Sequence, residues 1–244
     1  MIDKDVHSHH ISQQFNVELD DVKTHLLEMG GLVEQQVRKA ISSLVEADSD
    51  KAEKVRLDDN DINDMEVAID EECMRILARR QPAASDLRLV IAISKSVIDL
   101  ERIGDEAGKI ALQAIQLAES GESPRGYKEI RHIGNHVGFM VRDALDAFAR
   151  FDVDMALAVA KEDKLVDEEY GSAVRSLITY MMEDPRSISQ MLNVLWALRS
   201  LERVGDHARN IAEQVIYLVK GTNVRHFGIT QMTAEVMTPE KRGQ

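Results

Sequence analysis

Cysteine occurs only once in this sequence, at Cys73, so neither a disulfide framework nor a CxxC metal knuckle can form within one chain. Flanked by Glu72 and Met74 in a helical-looking run, Cys73 reads as a small buried hydrophobe. Aromatic residues make up 4%, with 13 glycines and 4 prolines, while apolar residues reach 44% and charged residues 30%. Strand formers are therefore thin and good helix formers dominate. No apolar run approaches the roughly 18 residues that span a bilayer. The polar stretch Met1 to His10 lacks the apolar core of a signal peptide, so a cytoplasmic location is expected. His7, His9 and His10 in that stretch read as a flexible terminus and carry no site. Positive charge is also short, with 30 basic residues against 43 acidic ones and a net charge of −13. With no basic stripe, that balance argues against direct nucleic-acid binding.

What is present is a repeat. Leu100 to Ala111 reads LERIGDEAGKIA and Leu201 to Ala212 reads LERVGDHARNIA, displaced by 101 residues with eight of twelve positions identical. Upstream, Val33, Val37, Arg38 and Ala40 are matched by Val137, Val141, Arg142 and Ala144 at a displacement of 104, and Asp48 and Asp50 by Asp152 and Asp154. The chain is an internal duplication. The Gly/Pro-rich stretch from Gly121 to Gly126 reads as the linker, giving one unit over residues 1–120, a second over 127–220 and a tail over 221–244.

Within each unit, Asp48-Ser-Asp50 and Phe151-Asp-Val-Asp154 read as helix N-caps, and Pro82 and Pro185 suit a first helical turn. Helices are expected near 10–47, 50–80, 83–119, 126–150, 153–182 and 186–220. In the third, the apolar or small residues Val90, Ile93, Val97, Leu100, Gly104 and Ala107 keep a three-four spacing, and Met191, Val194, Leu198, Leu201, Gly205 and Ala208 repeat it in the sixth. That is the seam of a left-handed helix bundle. The fold class is all-α, as two tandem three-helix bundles.

Lone acidic i,i+4 pairs prove little, since roughly seven arise by chance at this composition. Here, however, Glu101/Asp105 and Glu202/Asp206 recur at equivalent positions, although such pairs cost a helix about 0.2–0.5 kcal/mol. The second helix of each unit interrupts its apolar stripe with acid, at Asp59 and Asp163, followed one turn later by Asn63 and Asp167. In antiparallel hairpins turning near Gln81 and Asp184, these residues lie level with the Glu/Asp pairs. Each unit therefore gathers a carboxylate site: Asp59, Asn63, Glu101 and Asp105 in the first, Asp163, Asp167, Glu202 and Asp206 in the second. Such oxygens suit divalent or iron cations (Mg, Ca, Mn or Fe) rather than thiolate-held zinc, and the residues do not distinguish Fe, Mn, Mg and Zn. With four acids against three, the second site is expected to bind more tightly. The alternative is that Arg102, Arg203 and neighbouring basic residues neutralise the acids as interhelical salt bridges. Glu129/His132 is the only Glu-x-x-His pair, so the di-iron enzyme pattern is absent, and His132 with His136 reads as a solvated helix face.

The twin LER[IV]GD motifs, the acidic segments at Asp59 and Asp163, the phrase ARRQPAASDLR from Ala78 to Arg88 and YMMEDP from Tyr180 to Pro185 together resemble the PhoU family. The resemblance spans residues 10–220. It implies two similar three-helix bundles, a homodimer, and iron or other cations on E/D-x-x-x-D motifs at Glu101, Asp105, Glu202 and Asp206, with Asp59, Asp163 and Asp167 opposite. Asn63 departs from the pattern. It further implies a non-enzymatic regulator without an organic cofactor, reaching the membrane only through partners. Those partners are the ATPase subunit of the phosphate ABC transporter and the phosphate-sensing histidine kinase, and the regulator holds the phosphate regulon off when phosphate is plentiful. Two other readings stay open: a metal-dependent enzyme or iron store, and a purely structural helical dimer.

Overall fold

The computed structural model describes residues 4–119 and 127–238, with side chains from residue 13 onward. Its helices are α1 (Lys4–Glu46), α2 (Ser49–Arg80), α3 (Ala84–Glu119), α4 (Tyr127–Arg150), α5 (Val153–Glu183), α6 (Ile188–Lys220) and α7 (Ile229–Met237), with a 3-10 turn over Pro185–Ser187. No strand occurs among the described residues. The six long helices match the expected ones, except that α1 starts earlier. The expected linker from Gly121 to Gly126 lies outside the described residues. The tail, for which the sequence carried no structural reading, forms α7, whose Met232 and Val236 are buried.

The helix ends follow from local chemistry. Asp48 accepts a hydrogen bond from the Lys51 amide at 2.9 Å, and Asp152 accepts from the Asp154 and Met155 amides at 3.0 Å, capping α2 and α5. Each cap follows a residue in left-handed conformation, Ala47 (φ 55°) and Phe151 (φ 56°), which are repeat equivalents. A side chain is strained there, and the Phe151 ring is covered by Lys23 Nζ at 4.1 Å. Gln81 ends α2 in the same left-handed region (φ 48°), just before Pro82.

Helices α3 and α6 form the centre. Their three-four stripes are buried, and each carries a second buried row with a seven-residue period: Ser96, Ile103, Ile110 and Leu117 in α3, Ala197, Val204, Ile211 and Leu218 in α6. One stripe faces the helix's own bundle and the other serves the packing of α3 against α6, so the two units share a continuous core. Polar pairs flank that contact, His207 Nδ1 lying 2.9 Å from Asp99 and Arg203 3.1 Å from Glu106.

A second contact between units joins α1 and α4, which run antiparallel. A Cβ on Gly30 would overlap the Leu145 methyls, and one on Gly134 would lie 3.0 Å from Ile41 Cγ2. These contacts are repeat images of each other. At each, a larger residue would push the branched side chain of the opposite helix aside, by a few tenths of an ångström at Gly134 and by more at Gly30.

Candidate carboxylate sites

The antiparallel levels hold. In the first unit Glu101 is raised above the ordinary carboxylate range by burial, then by repulsion from Asp105 and, more weakly, from Glu66 and Asp59. In the second unit burial and the charges of Asp206 and Asp167 raise Glu202, and burial and Asp167 raise Asp206. Like charges therefore crowd at both predicted levels, on neighbouring helices, where carboxylates are costly unless something compensates.

The inventory differs from the expected one at three positions. Asn63 is exposed, and Glu66, one heptad beyond Asp59 on the same stripe, stands among the acids instead. Asp163 is buried against Arg209, whose Nη1 lies 2.9 Å from Oδ2, and Arg209 Nε also meets Glu213 at 3.0 Å. Arg209 lies level with Asp163 across the hairpin, so the argument that paired the acids could also have found it. Its repeat equivalent is Gly108, and Asp59 instead accepts a hydrogen bond from Gln36 Nε2 at 3.0 Å. The first site thus holds Asp59, Glu66, Glu101 and Asp105 with no arginine in Arg209's place, while the second keeps Asp167, Glu202 and Asp206 with Asp163 neutralised. The salt-bridge alternative holds for the neighbouring bases Arg199 and Arg209, which pair with Glu202 and Asp163 in the second unit, but not for the two arginines within the motif. Arg203 turns across to Glu106, and Arg102 only grazes its own neighbour Glu101 at 3.5 Å.

Metal chemistry fits the donor set more closely than the present side-chain placement. All donors are hard oxygens, and Glu202 Oε2 is buried with no hydrogen-bond partner, while Arg199 holds the other oxygen at 2.6 Å. Yet among the described residues no three acidic, histidine or cysteine side chains converge on one point, so an ion would have to draw them inward.

Sequence reasoning also misread His136. Its Nε2 lies 2.7 Å from Glu162 and its Nδ1 3.2 Å from Glu169, which His132 shares at 3.2 Å. Burial works against charge on His136, but both hydrogen-bonded carboxylates outweigh it and raise its pKa. The residue is a link between α4 and α5 rather than a solvated face. Cys73 is buried as expected, and burial pushes its thiol up to about 12, making it inert as a nucleophile.

Known proteins share this architecture. The description of the PhoU domain matches the chain twice, over residues 26–114 and 130–215. The phosphate-specific transport system accessory protein PhoU homolog of Pseudomonas putida is 71% identical over 236 residues, covering 97% of this chain and 92% of that protein. The accessory protein PhoU of Escherichia coli is 50% identical over 219 residues, covering 90% of each. Among solved structures, PhoU from Pseudomonas aeruginosa superposes with a TM-score of 0.84 at 71% identity, covering 85% of this chain and all of that one. The phosphate transport system regulatory protein PhoU from Streptococcus pneumoniae superposes at 0.80 with 33% identity, covering 86% and 99%. Two matched repeats, paired acidic levels and identity along almost the whole length make this chain a member of the PhoU family.

Proposed function

We propose that this protein is the accessory regulator of a phosphate-specific transport system: a cytoplasmic, homodimeric helical adaptor that couples the transporter's ATPase subunit to the phosphate-sensing histidine kinase. It represses the phosphate regulon when phosphate is plentiful. The observation that carries this reading is 71% identity, across 97% of the chain, to a protein named for that system. No helix among the described residues is long and apolar enough to cross a membrane, which agrees with action through a transporter rather than as one. Disrupting the gene in phosphate-replete cells should switch on phosphate-starvation promoters. Promoters that stay silent in the disrupted strain would sink the reading.

The same proposal includes cation binding at the two carboxylate sites, supported by crowded acids and the orphaned Glu202 oxygen. Because Arg209 occupies Asp163, the first site now has the larger free charge, reversing the order expected from sequence. Calorimetric titration of metal-free protein with Mn(II) should resolve two classes of site. Glu66→Gln should weaken the tighter class and Asp206→Asn the weaker one, each severalfold, and bound metal should raise the melting temperature. Absence of binding heat at both sites would remove cations from the function, and Glu66→Gln without effect would strike Glu66 from the first site and with it the reversed order.

A further inference from the structure

Away from the carboxylate sites, a groove of ≈ 650 Å³ runs between α1 and α4. On the α1 side it extends from Glu34 to Glu46, twelve residues or about 18 Å of helix, which makes it a trough rather than a pocket. Val37, Ile41 and Val45 supply its apolar floor. The α4 wall is low at Gly138, where an added Cβ would meet nothing within 4 Å, and Phe139 stands at the rim with 55% of its surface exposed.

Charge in the groove has the opposite sign to that of the molecule. Its two carboxylates are already matched, Glu34 by Arg38 at 2.5 Å and Glu46 by Lys51 at 2.6 Å. On the α4 wall, Arg131 is exposed, and the Arg142 guanidinium lies over the Phe139 ring at 5.2 Å, with Asp143 no closer than 3.9 Å. Two arginines thus stand in surplus beside an apolar trough on a chain of net charge −13. Such a trough suits a helix laid in it, with apolar residues on the floor and acids along the basic wall.

We infer that the groove between α1 and α4 docks an acidic amphipathic helix of a partner protein, about three turns long, with its apolar face on Ile41, Val45 and Phe139 and its carboxylates on Arg131 and Arg142. The inference deepens the accessory reading, on which it rests only for the existence of a partner. The regulon measurement and the test below can fail independently.

The test uses the full-length protein and a fluorescein-labelled synthetic helical peptide of about fifteen residues, leucine at i, i+3, i+4 and i+7 and glutamate on the flanks. Anisotropy titration should show saturable binding that weakens with added salt and falls at least about tenfold in the Arg131→Glu/Arg142→Glu double variant. Phe139→Ala should weaken it severalfold, while Arg175→Glu, an exposed reversal on α5, should leave it unchanged. Circular dichroism checks that each variant remains helical. A scrambled peptide of the same composition binding equally well, indifference to the double reversal, or no saturable binding would overturn the inference. Two further results would also overturn it by reassigning the groove: displacement of the peptide by inorganic phosphate, pointing to a small anion, or dissociation of the double variant into monomers in sedimentation, pointing to a second copy of this chain.

Discussion

Arg209→Met is expected to destabilise the protein by about 3–5 kcal/mol at pH 8, because it removes the cation bonded to two buried carboxylates. Asp163 and Glu213 are 2% and 3% exposed, and Glu213 Oε2 already lacks a partner. Burial raises Glu213 from 4.5 to about 7 even with Arg209 pulling the other way, and burial raises Asp163 as well. A carboxyl raised in the folded state holds a proton that the unfolded chain has released. Stability from Glu213 is therefore greatest below about pH 4.5 and declines as pH climbs through about 7, the reverse of an ordinary salt-bridged acid. Without the guanidinium both groups rise further, so the deficit of the variant should shrink on acidification. Urea unfolding at pH 5 and pH 8 provides the check. A deficit below about 1 kcal/mol at pH 8 would show that water or Arg225, the other base whose charge acts on Glu213, replaces the lost cation, and a deficit equal at both pH values would show that the carboxyls do not take up protons when Arg209 is lost.

Phe148→Ala should cost a similar amount, about 3–5 kcal/mol, seen as a fall in melting temperature of about 10 °C. With aromatics at 4% of the chain, Phe148 is the one aromatic among the largest fully buried side chains described, in a buried core otherwise built from aliphatic residues, methionine, alanine and Cys73. Alanine neighbours such as Ala144 and Ala147 have no atoms to move into the void, so the cavity cannot collapse. Phe139→Ala, on the same helix but with its ring in solvent, is the matched control and should shift the melting temperature by less than about 2 °C.

Spacing and cap chemistry located all six long helices, because amphipathic period and N-cap acids act locally. The same three-four count identified the stripe of α3 but not its second row through Ser96, Ile103, Ile110 and Leu117, although that row has its own seven-residue period. A helix buried on two sides shows two overlapping patterns, and reading one hides the other. The short α7 carries too few periods to stand out, and only its contacts with α5 and α6 make it a helix with a buried side. In the carboxylate sites, level arithmetic placed Glu101, Asp105, Glu202 and Asp206 opposite the right segments. It missed Arg209 because acids alone were counted, and it missed Glu66 because only positions acidic in both units, with the residue one turn on, were taken, whereas the counterpart of Glu66 is Tyr170.

The glycine contacts between α1 and α4 say something about ancestry. Gly30 accepts Leu145, and Gly134 accepts Ile41, while Ile41 and Leu145 are themselves counterparts. One repeat therefore owns both a socket and the knob that fills its counterpart's socket, which is the definition of a self-complementary, isologous surface. Two free copies of a single ancestral unit could have met through it about a twofold axis before fusion tied them together. Fusion then released the two ends from identity. Asp99 and Ser200 are counterparts, as are Glu106 and His207, yet one end of the α3–α6 contact now pairs Asp99 with His207 and the other pairs Glu106 with Arg203. A symmetric pair of separate subunits must change both ends at once. A fused pair can specialise one at a time, and Arg209 in one half stands where the other has Gly108.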